Sequence, residues 1–136
     1  MSKENGGHGG VVLNMGSVTS FAAIFDPLYV ASKHGVKGYS LALAECDPSF
    51  SGADDIRIAV MCPTGVDTPF LKASPETLKT SLNLIPMSRV LDACIMAVED
   101  ETKHACCIRI THAYGIDLLP MKTPKEWETE LKIWKS

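Results

Sequence analysis

Three short apolar stretches divide the chain, and each is typical of a strand in a parallel sheet. They are Val11–Leu13, Ile56–Cys62 and Ala105–Thr111, all rich in β-branched or aliphatic residues. A run of this kind without polar alternation indicates contact with protein on both sides. We therefore expect Val11–Leu13 to be a strand buried on both of its faces.

Between the first two strands, apolar residues recur at helical spacing. From Leu28 to Ala44 they repeat every three or four residues, after an Asp26-Pro27 pair that favours the beginning of a helix. Gly35 and Gly38 lie inside this helix and cost it up to about 1 kcal/mol each. We expect these two glycines to mark close packing against a neighbouring backbone or helix.

The second half of the chain continues the alternation. A helix is expected from Arg89 to about Asp100 with Ser88 as its cap, a short helix over 75–82, and a turn-rich loop over 46–55. From Gly115 onward the tail is expected to be irregular and admits a final helix over 124–134. Strand, helix, strand, helix, strand predicts an α/β fold in which three parallel strands are joined by right-handed crossovers.

Composition narrows the class of protein. The 136 residues are 46% hydrophobic and 21% charged, as in an ordinary globular domain, and the formal charge of −3 disfavours nucleic acid as a partner. Apolar runs are shorter than the roughly 18–20 residues that span a bilayer, and the amino terminus is polar. The sequence thus predicts a cytoplasmic protein without a membrane partner.

Cysteine and histidine spacing does not indicate a metal site. The five cysteines are scattered, with only Cys106 and Cys107 adjacent, so most are expected to be buried thiols. His34 and His112 lack neighbouring carboxylates or cysteines at ligand spacing, and we interpret them as solvated or packed side chains. No metal ligand is assigned.

Tyr29 and Lys33 are four residues apart on the first helix and therefore share one of its faces. An ammonium within a few ångströms of a phenol stabilises its phenolate form, which would let the tyrosine act as an acid or a base. The spacing alone is weak, because a Tyr-x-x-x-Lys match also arises by chance on a solvated helix face. The surrounding pattern has to decide between the two interpretations.

That pattern resembles the short-chain dehydrogenase/reductase family. The resemblance lies in VVLNMGSVTSF, YVASKHGVKGYSLALA and IRIAVMCPTGVDT, each on the element where the family has it. The later stretches LDACIMAVEDE and ACCIRITHAYGI look most like the branch that contains the NAD-dependent 15-hydroxyprostaglandin dehydrogenases. The resemblance implies a Rossmann fold, a doubly wound parallel sheet with flanking helices.

Only the carboxyl-terminal half of that fold is matched, from Gly9 to about Asp117. The family's Thr-Gly-x-x-x-Gly-x-Gly phosphate loop and its Asn-Asn-Ala-Gly element are not in this sequence. The glycines at 6, 7, 9 and 10 cannot replace the loop, because they precede a strand instead of following one. We expect a partial Rossmann domain over 9–118, after a flexible leader over 1–8 and before a tail over 119–136.

The resemblance assigns three catalytic roles. Ser17 matches the serine that hydrogen-bonds the reacting oxygen of the substrate, and Tyr29 matches the acid/base that exchanges a proton with that oxygen. Lys33 matches the lysine that favours the phenolate and holds the ribose hydroxyls of the nicotinamide. Without the resemblance, the three would be a turn serine, a packed tyrosine and a surface lysine.

A second motif, Pro63 to Thr68, matches the loop that approaches the nicotinamide carboxamide. Val66 would offer its backbone there and Thr68 its hydroxyl. The family usually has glycine directly after the proline, whereas Thr64 stands here and Gly65 follows, which puts close approach of the cofactor in doubt. Together with Tyr29 and Lys33, the loop completes the expected cofactor site.

Three hypotheses follow from these motifs. The first is an NAD(P)-dependent oxidoreductase that interconverts a secondary alcohol and a ketone. NAD is the cofactor typical of the branch, and NADP is the alternative. Its substrate would be a small, apolar molecule, and the complete family fold implies a homo-oligomer. The second is a truncated chain without activity, and the third is an interaction protein that pairs through its long helix or a strand edge.

Overall fold

The computed structural model describes residues 1, 3–24, 26–46, 55–72, 83–119 and 126. Its strands are β1 (Gly10–Met15), β2 (Ile56–Pro63), β3 (Cys106–Thr111) and β4 (Gly115–Leu119), and its helices are α1 (Pro27–Cys46), α2 (Pro69–Lys72) and α3 (Met87–Glu99), with 3-10 turns at Lys3–Asn5 and Val18–Ser20. The helix expected over 75–82 lies outside the described residues, as do nearly all of the helix expected over 124–134 and of the loop expected over 46–55.

The four strands form one sheet in the order β1-β2-β3-β4. β1, β2 and β3 run parallel, with Val12 opposite Ile58 and Val60 opposite Cys107. This confirms the α/β class and the three parallel strands of a partial Rossmann fold. In the described part of the chain β1 is hydrogen-bonded only to β2, so it forms one edge of the sheet.

The tail after Gly115 is not irregular as expected, because Gly115–Leu119 is a fourth strand. It pairs antiparallel with β3, placing Thr111 opposite Gly115 and Ile108 opposite Leu118. Gly115 has a φ of +68°, a backbone conformation that glycine adopts without a steric penalty at the end of the connecting turn. The Tyr114 N–H donates to Thr111 Oγ1 at 2.9 Å and closes the turn.

The two faces of the sheet carry different cores. On one face α3 packs against aliphatic side chains of β2 and β3, and the buried members of this cluster are Ala59, Met61, Ile85, Val90, Ala93, Ala97, Ile108 and Ile110. On the opposite face α1 packs through Leu41 against a smaller cluster of Val60, Cys62 and Cys107. This alternation follows from the period of two along a strand.

Three further expectations were wrong. Val11–Leu13 is half-buried, because β1 lies at the edge of the described sheet. Helix α3 begins at Met87 and its cap is Pro86, with no side-chain hydrogen bond, so Ser88 is inside the helix. A Cβ at Gly35 or Gly38 would meet nothing within 4 Å, so neither glycine marks close packing in the described structure.

Arg57 fastens the end of α3 to the sheet. Its guanidinium donates to the carbonyl oxygens of Ala97 at 3.0 Å, Asp100 at 2.8 Å and Val98 at 2.8 Å. These carbonyls have no partner within the helix, so the arginine satisfies them and complements the negative end of the helix dipole.

Among the described residues, no helix combines the length and apolar character needed to cross a bilayer.

Candidate active site

The expected catalytic residues lie where the parallel strands end. β1 ends at Met15 and β2 at Pro63, and Met15 is opposite Met61 in the register. In an open α/β sheet, ligands bind beyond the carboxyl ends of the strands. Ser17 follows the end of β1 and Pro63–Thr68 follows β2, so both motifs lie at this edge of the sheet.

Ser17 is held in a tight, buried turn. It is extended, with φ −167° and ψ 164°, and it caps the 3-10 turn Val18–Ser20. Its Oγ accepts the Thr19 N–H at 3.2 Å, and its own N–H donates to Ser20 Oγ at 3.2 Å. This reciprocal pair is a capping box, which fixes the backbone on both sides of the serine.

Tyr29 lies in the first turn of α1. The Asp26 carboxylate accepts the Tyr29 N–H at 2.8 Å, which confirms Asp26 as the residue that caps this helix. The Tyr29 side chain is 38% exposed, so its ring remains accessible to a bound molecule.

Lys33 joins Tyr29 to the end of β1. Its Nζ lies 5.6 Å from the centroid of the Tyr29 ring, within the range of a cation–π interaction, and it donates to the Met15 carbonyl at 2.9 Å. The lysine is therefore directed toward the strand end that carries Ser17, and not into solvent. The structure thus brings Tyr29, Lys33 and the β1 end together.

Two buried serines, which sequence reasoning missed, tie α1 to this strand end. Ser20 Oγ donates to the Lys33 carbonyl at 2.9 Å. Ser40 Oγ accepts from Asn14 Nδ2 at 2.8 Å and donates to the Val36 carbonyl at 2.6 Å. Both hydroxyls are fully buried. Asn14 thus has a structural role. A polar residue within the apolar stripe of α1 marks Ser40 in the sequence but does not reveal its partner.

The loop after β2 is anchored to the body by two sets of bonds. Thr64 directs its N–H and its hydroxyl to the Ile110 carbonyl, at 2.9 and 3.4 Å. Its polar groups are thus engaged with β3 and not directed toward Tyr29 or Lys33. Gly65 and Asp67 both bond Ile85, and Val66 pairs with Ile85 in a parallel bridge. In such a bridge the N–H and C=O of the central residue point away from its partner.

Beyond this bridge the loop continues to Thr68, whose hydroxyl donates to the Val66 carbonyl at 3.2 Å. The Val66 N–H points away from Ile85 and makes no bond to it. Near Ser17, the Thr19 hydroxyl is buried and has no hydrogen-bond partner in the structure as described. Within the same residues there is no group of three or more His, Cys, Asp or Glu side chains that could hold a metal ion.

Comparison with known proteins identifies the family of this chain. The family model for short chain dehydrogenases matches residues 1–79, which is more than half of the chain. The chain belongs to the short-chain dehydrogenase/reductase family.

The chain is also similar to individual curated proteins. The chain is 29% identical over 132 residues to mouse 15-hydroxyprostaglandin dehydrogenase [NAD(+)] and 28% identical over 132 residues to the human protein. Each match covers 85% of this chain but only 48% and 49% of the relative. The chain therefore spans about half the length of these curated members of the family.

Solved structures of the family share the fold. A short-chain dehydrogenase/reductase family oxidoreductase from Burkholderia thailandensis superimposes with a TM-score of 0.62 and 26% identity, over 74% of this chain and 43% of the other. A 3-ketoacyl-(acyl-carrier-protein) reductase from Brucella melitensis, solved with NADH, gives a TM-score of 0.67 at 22% identity, over 84% and 49%. The described fold thus corresponds to nearly half of a family domain.

Proposed function

We propose that this chain provides the catalytic half of an NAD(P)-dependent oxidoreductase that interconverts a secondary alcohol and a ketone. The observation that carries the proposal is the position of Lys33, which contacts the Tyr29 ring and bonds the carbonyl at the end of β1. The contact with Tyr29 is expected of any i, i+4 pair, whereas the bond to the β1 carbonyl holds the ammonium at the end of the strand. The arrangement supports an acid/base role for Tyr29.

Each residue of the set has a distinct task in this proposal. Tyr29 exchanges a proton with the substrate oxygen, and Lys33 stabilises the phenolate that remains after the proton has left. Ser17 donates a hydrogen bond to the same oxygen and stabilises its developing charge. The capping box around Ser17 keeps the hydroxyl in place, so little reorganisation is needed during the reaction.

The described residues fit one end of a nicotinamide dinucleotide. The Lys33 ammonium is placed to hold ribose hydroxyls, and the Val66 N–H and the Thr68 hydroxyl suit a carboxamide, with Pro63, Thr64 and Gly65 shaping the loop. When bound, the cofactor supplies the hydride acceptor for alcohol oxidation. NAD is the form we propose, because the mouse and human relatives are named for it.

We also propose an apolar substrate, a homo-oligomer and a cytoplasmic location. The segment over 70–87, which follows the loop, is rich in apolar residues and would suit an apolar substrate. Phe70, its first residue, is 74% exposed. Ile85, from the same segment, is fully buried in the core and so cannot face a substrate. Two other apolar residues of this segment, Leu78 and Leu82, lie outside the described residues.

The experiment that tests the function joins this chain to the amino-terminal half of a related dehydrogenase. We expect the fusion to reduce NAD in the presence of a secondary alcohol, measured by the absorbance of the reduced nicotinamide. The 136-residue chain alone should bind NAD negligibly in a calorimetric titration, because its described residues include no glycine-rich phosphate loop at a helix beginning. A folded fusion that binds NAD but oxidises none of a panel of secondary alcohols would contradict the proposal.

A second candidate function is non-catalytic pairing with another polypeptide, and the edge of β1 favours it. Within the described residues the outer side of β1 has no strand beside it, and such an edge is a template for strand addition. The two candidates differ in the effect of Tyr29→Phe, which abolishes catalysis but leaves pairing through β1 unchanged.

A further inference from the structure

Two thiols lie together on the α1 face of the sheet and have no part in the proposed reaction. Cys62 on β2 and Cys107 on β3 are both fully buried and pack in the same small cluster with Val60. The register places Cys107 opposite Val60, so Cys62 is two residues further along β2 on the same face. The two cysteines are therefore diagonal neighbours on adjacent parallel strands.

The two thiols are close enough to shift each other's pKa in opposite directions. The hydrogen bond from the Cys107 thiol lowers the pKa of Cys62, although burial opposes the shift. The same contact and burial raise the pKa of Cys107. The positive charge of Lys37 also lowers the pKa of Cys62. Cys62 is thus the better nucleophile of the two.

Cys62 also supports the turn that carries Ser17. A Cβ added at Gly16 would lie 3.1 Å from Cys62 Sγ, 3.1 Å from Ser20 Oγ and 2.8 Å from Val60 Cγ1. The sulfur therefore packs tightly below the backbone of the turn, and only a glycine leaves room for it. A rearrangement of Cys62 Sγ therefore alters the packing beneath Gly16 and the turn that carries Ser17.

We propose that Cys62 and Cys107 form an oxidation site, in which a small peroxide converts the two thiols into a disulfide and so displaces the Gly16–Ser17 turn. The Cys62 thiolate attacks one peroxide oxygen, the O–O bond breaks, and Cys62 becomes a sulfenic acid while the departing hydroxide takes a proton to form water. Cys107 sulfur then attacks Cys62 sulfur, the S–O bond breaks, and the Cys107 proton leaves with the hydroxide as a second water. Two thiols are oxidised and one peroxide is reduced.

The diagonal placement makes this disulfide a strained one. A strand spacing of about 4.8 Å and a rise of about 3.3 Å per residue separate diagonal Cα atoms by roughly 8 Å. Disulfides need Cα separations of about 4.4–6.8 Å, so closure draws the ends of β2 and β3 together by roughly 1–4 Å. Strained disulfides are readily reduced, so the modification is reversible. Both sulfurs are buried, and reaction therefore follows local opening of this end of the sheet.

The first test maps the bond in the 136-residue chain. The native protein is treated with hydrogen peroxide, its remaining thiols are alkylated, and its peptides are analysed by mass spectrometry. We expect a peptide that links Cys62 to Cys107, present in the wild type and in Cys106→Ser, and lost in Cys62→Ser and Cys107→Ser. Cys106 is the matched control, because it is adjacent to Cys107 but packs on the opposite face.

A wild-type protein in which Cys62 and Cys107 remain free while Cys94 or Cys106 is oxidised would overturn the proposal. The mapping in the wild type does not depend on whether any variant folds. It also does not depend on the proposed function, because it measures no catalysis.

The second test concerns the coupling to the Ser17 turn. Amide hydrogen exchange is measured for the oxidised protein, for the same sample after dithiothreitol, and for Cys107→Ser after peroxide. Faster exchange at residues 16–20 is expected only in the oxidised wild type, and it should return to its original rate on reduction. A disulfide that forms without altering exchange in this turn would refute the coupling.

Discussion

The two faces of the sheet differ in the chemistry of what they bury. The α3 face has a hydrocarbon core of eight buried residues, among them Met61, Ile108 and Ile110. On the α1 face, three buried residues form the apolar cluster, two of them cysteines, and the fully buried hydroxyls of Ser20 and Ser40 lie beside α1. Both faces belong to the same strands, so neighbouring residues of one strand take part in different kinds of packing.

This difference shows how one sheet separates stability from function. Aliphatic burial is non-directional and contributes about 25 cal/mol per Å² of buried apolar area, which suits a face whose role is to stabilise the fold. Hydroxyl and thiol groups contribute less per contact but fix geometry, since each hydrogen bond has a preferred distance and angle. The residues proposed for catalysis all lie on or beside the face that is fixed by hydrogen bonds.

The sharpest test of the functional face compares two tyrosines on α1. In the active fusion, Tyr29→Phe should lower turnover by about 10²–10⁴-fold, because it removes the proton donor and acceptor. Tyr39→Phe is the matched control, since Tyr39 is on the same helix, 67% exposed and remote from Lys33 contacts. Steady-state kinetics distinguish them, and equal turnover in the two variants would remove Tyr29 from the mechanism.

The contribution of the α3 face to stability is tested at neighbouring positions of β3. Ile108 and Cys107 are both fully buried but face opposite sides of the sheet. Ile108→Ala should destabilise the protein by about 2–5 kcal/mol, because it opens a cavity in the larger core. Cys107→Ala should cost about 1 kcal/mol, which is ordinary for a small side chain. Urea denaturation measures both, and the comparison fails if the two losses are equal.

The beginnings of α1 and α3 also differ in whether a side-chain hydrogen bond caps the helix. α1 is capped by the Asp26 side chain, whereas the cap of α3, Pro86, makes no side-chain hydrogen bond. Asp26→Ala should therefore cost about 0.5–2 kcal/mol. Ser88→Ala, at the residue that sequence reasoning took for a cap, should change the free energy of unfolding by less than about 0.5 kcal/mol. Thermal denaturation of both variants decides whether the caps differ.

Acid sensitivity should be small and shared by both ends of the sheet. Hydrogen bonds from Lys103 and Thr102 lower the pKa of Asp100, and the Arg109 guanidinium lowers the pKa of Asp117. A carboxyl whose folded pKa is below its unfolded value of about 3.9 stabilises the fold above that pH and loses this contribution as the pH falls. Stability measured from pH 6 to pH 2 should decline less steeply in Asp100→Asn and Asp117→Asn, and an unchanged slope would contradict the assignment.

The sequence predicted the elements with long periodic or apolar runs and missed those that depend on distant partners. α1, β2 and β3 were predicted to within two residues of their ends, because the apolar residues within each segment are enough to indicate the element. β4 was missed because its strand character comes from pairing with β3, which no property of GIDLL reveals. The Tyr29–Lys33 pair could be found by spacing, but the Ser20 and Ser40 bonds could not, since they join residues 13 and 26 positions apart.

Those two serine bonds have a consequence for how the chain tolerates insertions. They fix both the rotation of α1 about its axis and its translation along β1, so the helix is positioned from the sheet and not from the segment that leads into it. Residues added between Phe21 and Asp26 would enlarge the connection without shifting Tyr29 relative to Met15. The length of that connection can therefore vary among related proteins, while the spacing from Lys33 to Ser40 along the helix cannot.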